Sequence, residues 1–256
     1  MRGLAERAYF FACLALGRLL RAGRYSKTRI DYDDRELPVR KRRLFHAPLL
    51  VWLGEPLVRI LDTGVRVLPQ GDWEERERLI YHTLHGRSIR FADGTLFLPR
   101  FAGETLATLL QDPELDESFR KRAVELAVLA LAEFHVQGFT HGDAMAENVM
   151  VDLGSGVAHW FDFETVHDSS RPIAWRRADD VRALLSTCLL RTAPEVFGET
   201  LRLILDVYAD EEASRLLPMS FAAVLRRPLT FHLGQAGLSF HQYREVARLL
   251  RQRIGE

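Results

Sequence analysis

With 256 residues, 47 % apolar and 27 % charged, the chain can bury a sizeable core and suits one large domain or two lobes sharing a cleft. Lys plus Arg and Asp plus Glu balance at 35 each, so no net field points to acidic substrates, and nucleic acid is not an expected partner. Nearly all the cations are Arg; Lys occurs only at positions 27, 41 and 121, which leaves few candidates for lysine-dependent chemistry.

Residues 1–62 read as an N-terminal amphipathic helical region with two apolar stretches and basic flanks. The first, YFFACLALGRLLRAGR, resembles a signal-peptide core, but Glu6 and Arg7 precede it and no small-residue cleavage site closes it. It also falls short of the roughly 18–20 apolar residues that a membrane span needs. The second follows Arg40-Lys41-Arg42-Arg43 and carries Leu49, Leu50, Trp52, Leu53, Leu57 and Ile60 at broadly helical intervals, interrupted by Pro48 and Pro56. A basic edge beside a Trp suits an anionic membrane surface; packing onto the rest of the protein is the alternative. Cys13 and Cys188 lie in apolar helical segments, as free buried thiols do, which suits a reducing compartment. The expected location is cytoplasmic, with peripheral contact at the inner membrane face through residues 1–62 as a further expectation.

From Asp72, DWEERERLIYHTLHG has an Asp cap, acids in its first turn and a Gly86 stop, and so predicts a helix. SIRFADGTLFLPRF predicts two short strands around an Asp93-Gly94 turn. AGETLATLL opens a helix, and ESFRKRAVELAVLALAEFHVQG is a long one ending at Gly138. NVMVDLGSGVAHWFDF predicts a second hairpin about a Leu153 to Gly156 turn, and from about Trp175 the chain reads as helical apart from short breaks. A small mixed region, then helices, a hairpin and more helices, suits an α+β protein.

Between the long helix and the second hairpin stands the segment FTHGDAMAENVMVDLGSGVAHWFDFETVHD. A loop presents His141, Gly142 and Asp143, and the hairpin that follows begins at Asn148 and finishes at Asp162, so that two acids and an amide converge at one end of a ribbon. A hard divalent cation such as Mg²⁺ takes oxygen ligands from one or two side chains and completes its shell with phosphates and water. Asn148 and Asp162 supply such oxygens, and Asp143 is left to orient and deprotonate a hydroxyl.

HGDAMAENVMVD resembles the H-G-D-x-x-x-x-N loop of the protein-kinase-like superfamily in its small-molecule and lipid branch. The similarity is to aminoglycoside phosphotransferases and bacterial lipopolysaccharide kinases, and FDFE looks like the I-D-F-E of choline kinases. The resemblance implies a bilobal α+β fold, with residues 63–101 as a reduced N-lobe and 102–256 as a mainly helical C-lobe. It implies Asp143 as catalytic base, Asn148 and Asp162 as Mg²⁺ ligands, and ATP as phosphate donor. Upstream, Glu77 sits beside the apolar stripe of Ile80, Tyr81 and Leu84 and is the expected partner of a phosphate-binding lysine, whereas Glu75 has Arg78 and His82 at the matching places. TLFLPRFAGETL looks like the strand and hinge that bond adenine, with Leu98, Arg100 and Phe101 among the expected contacts. Downstream, Asp180 rather than Asp179 in RRADDVRALL resembles the Asp that steadies the catalytic loop, and His141 supports the loop without doing chemistry.

The pattern departs from the family at one place. LVRILDTGVRVLPQGDW contains no lysine, and no Gly-rich loop is visible. Either Arg59 or Arg66 substitutes, or Lys41 arrives from an unusual N-terminal topology, or phosphate binding is impaired. No Ala-Pro-Glu element follows, and the stretch from Thr165 to Trp175 is short for an activation loop, which disfavours protein substrates. The expected activity is ATP- and Mg-dependent phosphoryl transfer to a hydroxyl of a small molecule, sugar or lipid. An inactive, nucleotide-binding pseudokinase or a peripheral membrane adaptor stands as the alternative. Acceptor choice falls to about residues 195–256, where His232 and His241 match no metal spacing.

Overall fold

The computed structural model describes residues 28–31, 39–43, 64–226 and 238–254. The architecture is mixed α+β. Strands β1 (Thr28–Asp31), β2 (Val39–Arg43), β4 (Arg90–Ala92) and β5 (Thr95–Leu98) form an antiparallel sheet in the order β1-β2-β5-β4. Strands β3 (Val65–Val67) and β9 (Thr165–His167) pair with each other, and β6 (Glu104–Thr105), β7 (Val149–Asp152) and β8 (Val157–Trp160) form a third sheet. The helices are α1 (Gln70–His85), α2 (Leu106–Gln111), α3 (Glu117–Val136), α4 (Ile173–Leu189), α5 (Phe197–Tyr208), α6 (Glu211–Arg226) and α7 (Phe240–Ile254).

Both hairpins expected from the sequence form. Asp93 and Gly94 turn the β4–β5 corner with φ of 51° and 69°, the left-handed pair that a two-residue hairpin requires. Helix α1 stops at Gly86, also left-handed, whose N–H bonds to the Tyr81 carbonyl. At its other end α1 begins at Gln70 rather than Asp72. Pro69 takes the cap position without a side-chain bond, and Asp72 falls in the first turn. Trp73, Glu77, Ile80 and Tyr81 form the buried face of α1, an i, i+4, i+7, i+8 stripe.

The N-terminal reading needs correction. Arg40 to Arg43 lie in strand β2, and β1 and β2 join the β4–β5 hairpin through the register Val39 to Leu98 and Lys41 to Leu96. A boundary at residue 62 therefore cuts through one sheet. The apolar stretches at 1–27 and 44–63, with Cys13, Trp52 and Arg59, lie outside the described residues, as does His232. Short strands β3, β6 and β9 were also not legible as strands, since two or three residues carry no period.

The main core is built on α3 and α4. Helix α3 buries Val124, Ala127, Val128, Leu131 and Phe134, and hydrophobic burial on this scale contributes about 1.5–3 kcal/mol for each large side chain. Every residue of α4 from Ala178 to Leu189 is buried, including Asp179, Asp180 and Arg182, so those charges must find partners inside. No helix among the described residues is long and apolar enough to cross a membrane.

Candidate active site

Strand β2 alternates as its pleat requires, with Lys41 and Arg43 buried and Arg40 and Arg42 exposed. Lys41 Nζ donates to Glu77 Oε1 on α1 at 3.1 Å and to Asp162 Oδ1, just past β8, at 2.6 Å. Burial alone would push the Lys41 ammonium down, but Asp162, Glu77 and Glu164 more than offset it and hold the group above its ordinary range. Glu77 Oε1 also accepts from Trp73 Nε1 at 2.9 Å and from the Phe163 backbone N–H at 3.3 Å. Lys41 lies 5.0 Å from the Trp73 ring centroid. One carboxylate oxygen thus gathers a strand, a helix and the segment after β8.

A second rung runs beside the first. Arg43 reaches the Leu68 carbonyl at 2.7 Å and faces Glu164 at 3.8 Å, while its guanidinium lies 4.6 Å from the same Trp73 ring. Lys41 and Arg43 on β2 therefore match Asp162 and Glu164 in the facing segment. Asp162 has φ of 68°, a left-handed conformation that Asp tolerates better than most residues and that is found at functional turns.

The loop from Thr140 to Asn148 is held by α4. Asp180 Oδ2 accepts the His141 N–H at 2.7 Å and Oδ1 accepts the Gly142 N–H at 2.8 Å. His135 Nε2 bonds Asp180 at 3.0 Å, and its Nδ1 bonds the Tyr208 hydroxyl at 2.5 Å, which extends the network to α5. Burial alone would raise the Asp180 carboxyl, but the surrounding imidazoles of His167, His135 and His141 hold it well below the usual carboxylate range. Gly142 has φ of 81°, and a Cβ there would stand 3.1 Å from the Val166 backbone, so the close pass of the loop over β9 needs glycine.

His141 Nε2 donates to the Phe161 carbonyl at 3.0 Å and Nδ1 accepts the Asp143 N–H at 3.3 Å, a pattern that suits a neutral ring. Burial pushes its pKa down to about 4, and burial does the same to His85, also about 4. Both take up protons more readily when unfolded, from their ordinary value near 6.5. Their contribution to stability is therefore present above about pH 6.5 and is lost as pH falls toward 4; Asp180, depressed from 3.8, adds its own loss below that. The denaturant midpoint is expected to drop steadily between these limits, and a flat profile would contradict the neutral, buried assignment of both rings.

Asn148 Nδ2 donates to the Asp143 carbonyl at 2.8 Å and approaches Asp143 Oδ2 at 3.3 Å, which leaves Oδ1 as the acceptor end of the amide. Asp162 adds a carboxylate whose side chain is 26 % exposed. One amide oxygen and one carboxylate are the hard-oxygen donors that Mg²⁺ accepts. Among the described residues no three His, Cys, Asp or Glu form a self-contained metal cage, so a cation held by this pair would complete its shell with ligand and water oxygens.

Beside these groups lies a cavity of about 700 Å³ lined by Val39, Tyr81, Leu98, Arg100, Phe101 and Met150, among others. Phe101 stacks on His159 at 4.3 Å and on Tyr81 at 5.8 Å, a rigid aromatic wall. Residues 99–101 leave β5 outside any regular element, at the mouth of the cavity.

Of the site residues expected from the sequence, Glu77 and Asp162 meet at Lys41, Asp143 and Asn148 bond each other, and Leu98, Arg100 and Phe101 line the cavity. Glu75 is exposed where Glu77 is buried, and Arg66 is an exposed residue of β3, so of the candidates for the missing cation the described residues bring Lys41 to the acids. Sequence reasoning did not find Trp73, Arg43, His135 or Tyr208. It also missed Arg76, whose guanidinium reaches the Thr140 carbonyl at 2.6 Å and ties α1 to the loop. The V-R-K-R-R run has four consecutive cations and no alternation to mark a strand, so Lys41 and Arg43 gave no local signal; His135 and Tyr208 gave none either.

No protein-family model and no curated protein sequence matches the chain. The functional reading rests on the residues themselves.

Proposed function

We propose that this chain is an ATP- and Mg-dependent phosphotransferase of bilobal protein-kinase-like fold, acting on a hydroxyl of a small molecule, sugar or (glyco)lipid. The observation that carries the proposal is the convergence of Lys41, Glu77 and Asp162 within 3.1 Å contacts, beside an Asp143–Asn148 pair and a cavity of nucleotide-accommodating size. In this reading the β1, β2, β4, β5 sheet with α1 is the smaller lobe, and the helices from α2 onward form the larger one.

Adenine would lie against the wall that holds Phe101 and Tyr81 and meet the backbone of 98–101, and Lys41, oriented by Glu77, would hold the phosphates. Asn148 and Asp162 would hold Mg²⁺, which supplies charge neutralisation on the transferring phosphoryl group. Asp143 takes the proton of the acceptor hydroxyl as its oxygen bonds to the γ-phosphorus and the bond from that phosphorus to the ADP oxygen breaks. The products are a phosphate ester and ADP. Little covalent work falls to the protein, so placement and electrostatics carry the rate. Lys41 also removes the lysine part of the case for an inactive scaffold.

Thermal unfolding with ATP, with Mg²⁺ and with both tests the proposal. Ligand at a hundred times its dissociation constant adds about 2.7 kcal/mol, on the order of 5–10 °C for a chain of this size. The expected result is a shift that needs both components and vanishes in Asp162→Asn. Absence of any shift at millimolar Mg-ATP would remove the nucleotide site from the reading.

A further inference from the structure

A second cavity, of about 230 Å³, opens between α2, the first half of α3 and residues 191–203, outside the cleft just described. Its apolar walls include Leu110, Val124 and Leu203, and it carries three cations, Arg120, Lys121 and Arg191, against two acids, Glu117 and Glu199. Lys121 bonds both acids, at 3.2 and 2.5 Å, on the exposed rim. The two guanidiniums differ in their partners. Arg191 pairs with Glu147 and donates to the Thr187 carbonyl, and its Nε is buried without a partner among the described residues. Arg120 donates to the Asp112 carbonyl at 2.6 Å; among the described residues it has no carboxylate partner, and its Nε is likewise buried and unpaired. A partly buried guanidinium with a carbonyl as its described partner keeps donors for a further acceptor.

The cavity also communicates with the catalytic loop. Glu147, the partner of Arg191, directly precedes Asn148, and the Ala146 N–H bonds Thr187 Oγ1 at 3.0 Å in the helix that leads to Arg191. Glu147 is four residues from Asp143, so their Cα atoms are at most about 14 Å apart.

We infer that this cavity receives a phosphate monoester carried by the acceptor, with Arg120 and Arg191 as its cationic wall and the apolar side chains against the attached carbon skeleton. The donors left on Arg120 and the Arg191 Nε–H suit the several oxygens and the near-double charge of a phosphate monoester better than they suit a neutral sugar. The acceptor role rests on the phosphotransferase reading; the anion site itself does not.

Calorimetric titration of the full chain without nucleotide or Mg²⁺ tests the site, with glycerol, glycerol 3-phosphate and soluble dihexanoyl phosphatidate as probes. The phosphate-bearing probes are expected to bind and glycerol not to. Arg120→Met is expected to weaken binding by about tenfold or more, and Arg120→Lys, which keeps the charge but not the planar guanidinium, by less. Tighter binding of the phosphatidate would assign a lipid source to the phosphate, and tighter binding of glycerol 3-phosphate a soluble one. No binding of either phosphate, or binding indifferent to Arg120→Met, overturns the inference even if Mg-ATP stabilises the protein. Arg120-dependent binding in a protein that does not respond to Mg-ATP would overturn the acceptor role together with the phosphotransferase reading.

Discussion

Replacing Asp143 with Asn is expected to lower γ-phosphate transfer by about 10²–10⁴-fold while the folded protein still responds to Mg-ATP. The substitution keeps the shape of the side chain and an oxygen for the Asn148 amide, so the loop geometry set by Asp180 and His141 is retained. It removes only the carboxylate proposed to accept the hydroxyl proton. The readout is turnover of ATP γ-phosphate, to water where no acceptor is supplied, together with thermal shift by Mg-ATP. Unchanged turnover in a variant that still binds nucleotide would sink the assignment of Asp143 as base. Loss of both responses would instead show that Asp143 is structural.

Lys41→Met carries the other large effect. Glu77 is fully buried and Asp162 partly so, and without the ammonium both carboxylates lose their shared counter-charge. Breaking a buried pair by removing one partner typically costs about 3–5 kcal/mol, because the charge left behind has no water. Asp162 can recover some solvation through its exposed edge, which places the expected loss toward the lower part of that range. The urea midpoint measures it. The same variant should lose its response to Mg-ATP even at temperatures where it is folded. A stable variant with an intact nucleotide response would mean that Lys41 is neither the counter-charge nor the phosphate ligand.

Legibility from the sequence followed the range over which each signal acts. Asp143 and Asn148 are five positions apart in one loop, and their hydrogen bonds are local, so spacing alone could place them together. Glu77 was separable from Glu75 because a helix face is periodic; burial does not separate Asp180 from Asp179, both inside the buried run of α4, and that choice rested on the place of Asp180 directly before Val181 in RRADDVRALL. Lys41 was different. It reaches Asp162 across 121 positions by a strand pairing that no local pattern announces, and a basic run before an apolar stretch reads equally as a helix flank. His135 and Tyr208 meet across 73 positions through a buried polar contact, and nothing in their neighbourhoods distinguishes them from ordinary helix residues. The tiny strands β3, β6 and β9 form because the packing of larger elements aligns them, a tertiary effect that overrides their weak propensity.

Strand β2 holds three arginines around a single lysine, and its pleat turns only Lys41 toward Glu77 and Asp162. A slip of one residue against β5 would bring Arg40 or Arg42 inward instead, with the same sign of charge facing the same acids. Charge therefore does little to select the register. Volume must do it: the site closes over Lys41 to 2 % exposure beneath Trp73, and a guanidinium is wider than an ammonium and asks for a planar fork of acceptors. Correct assembly of this edge is thus a size discrimination between neighbouring cations. Chains that close on the wrong one would be compact and ionically satisfied, with a guanidinium where the acids otherwise meet an ammonium.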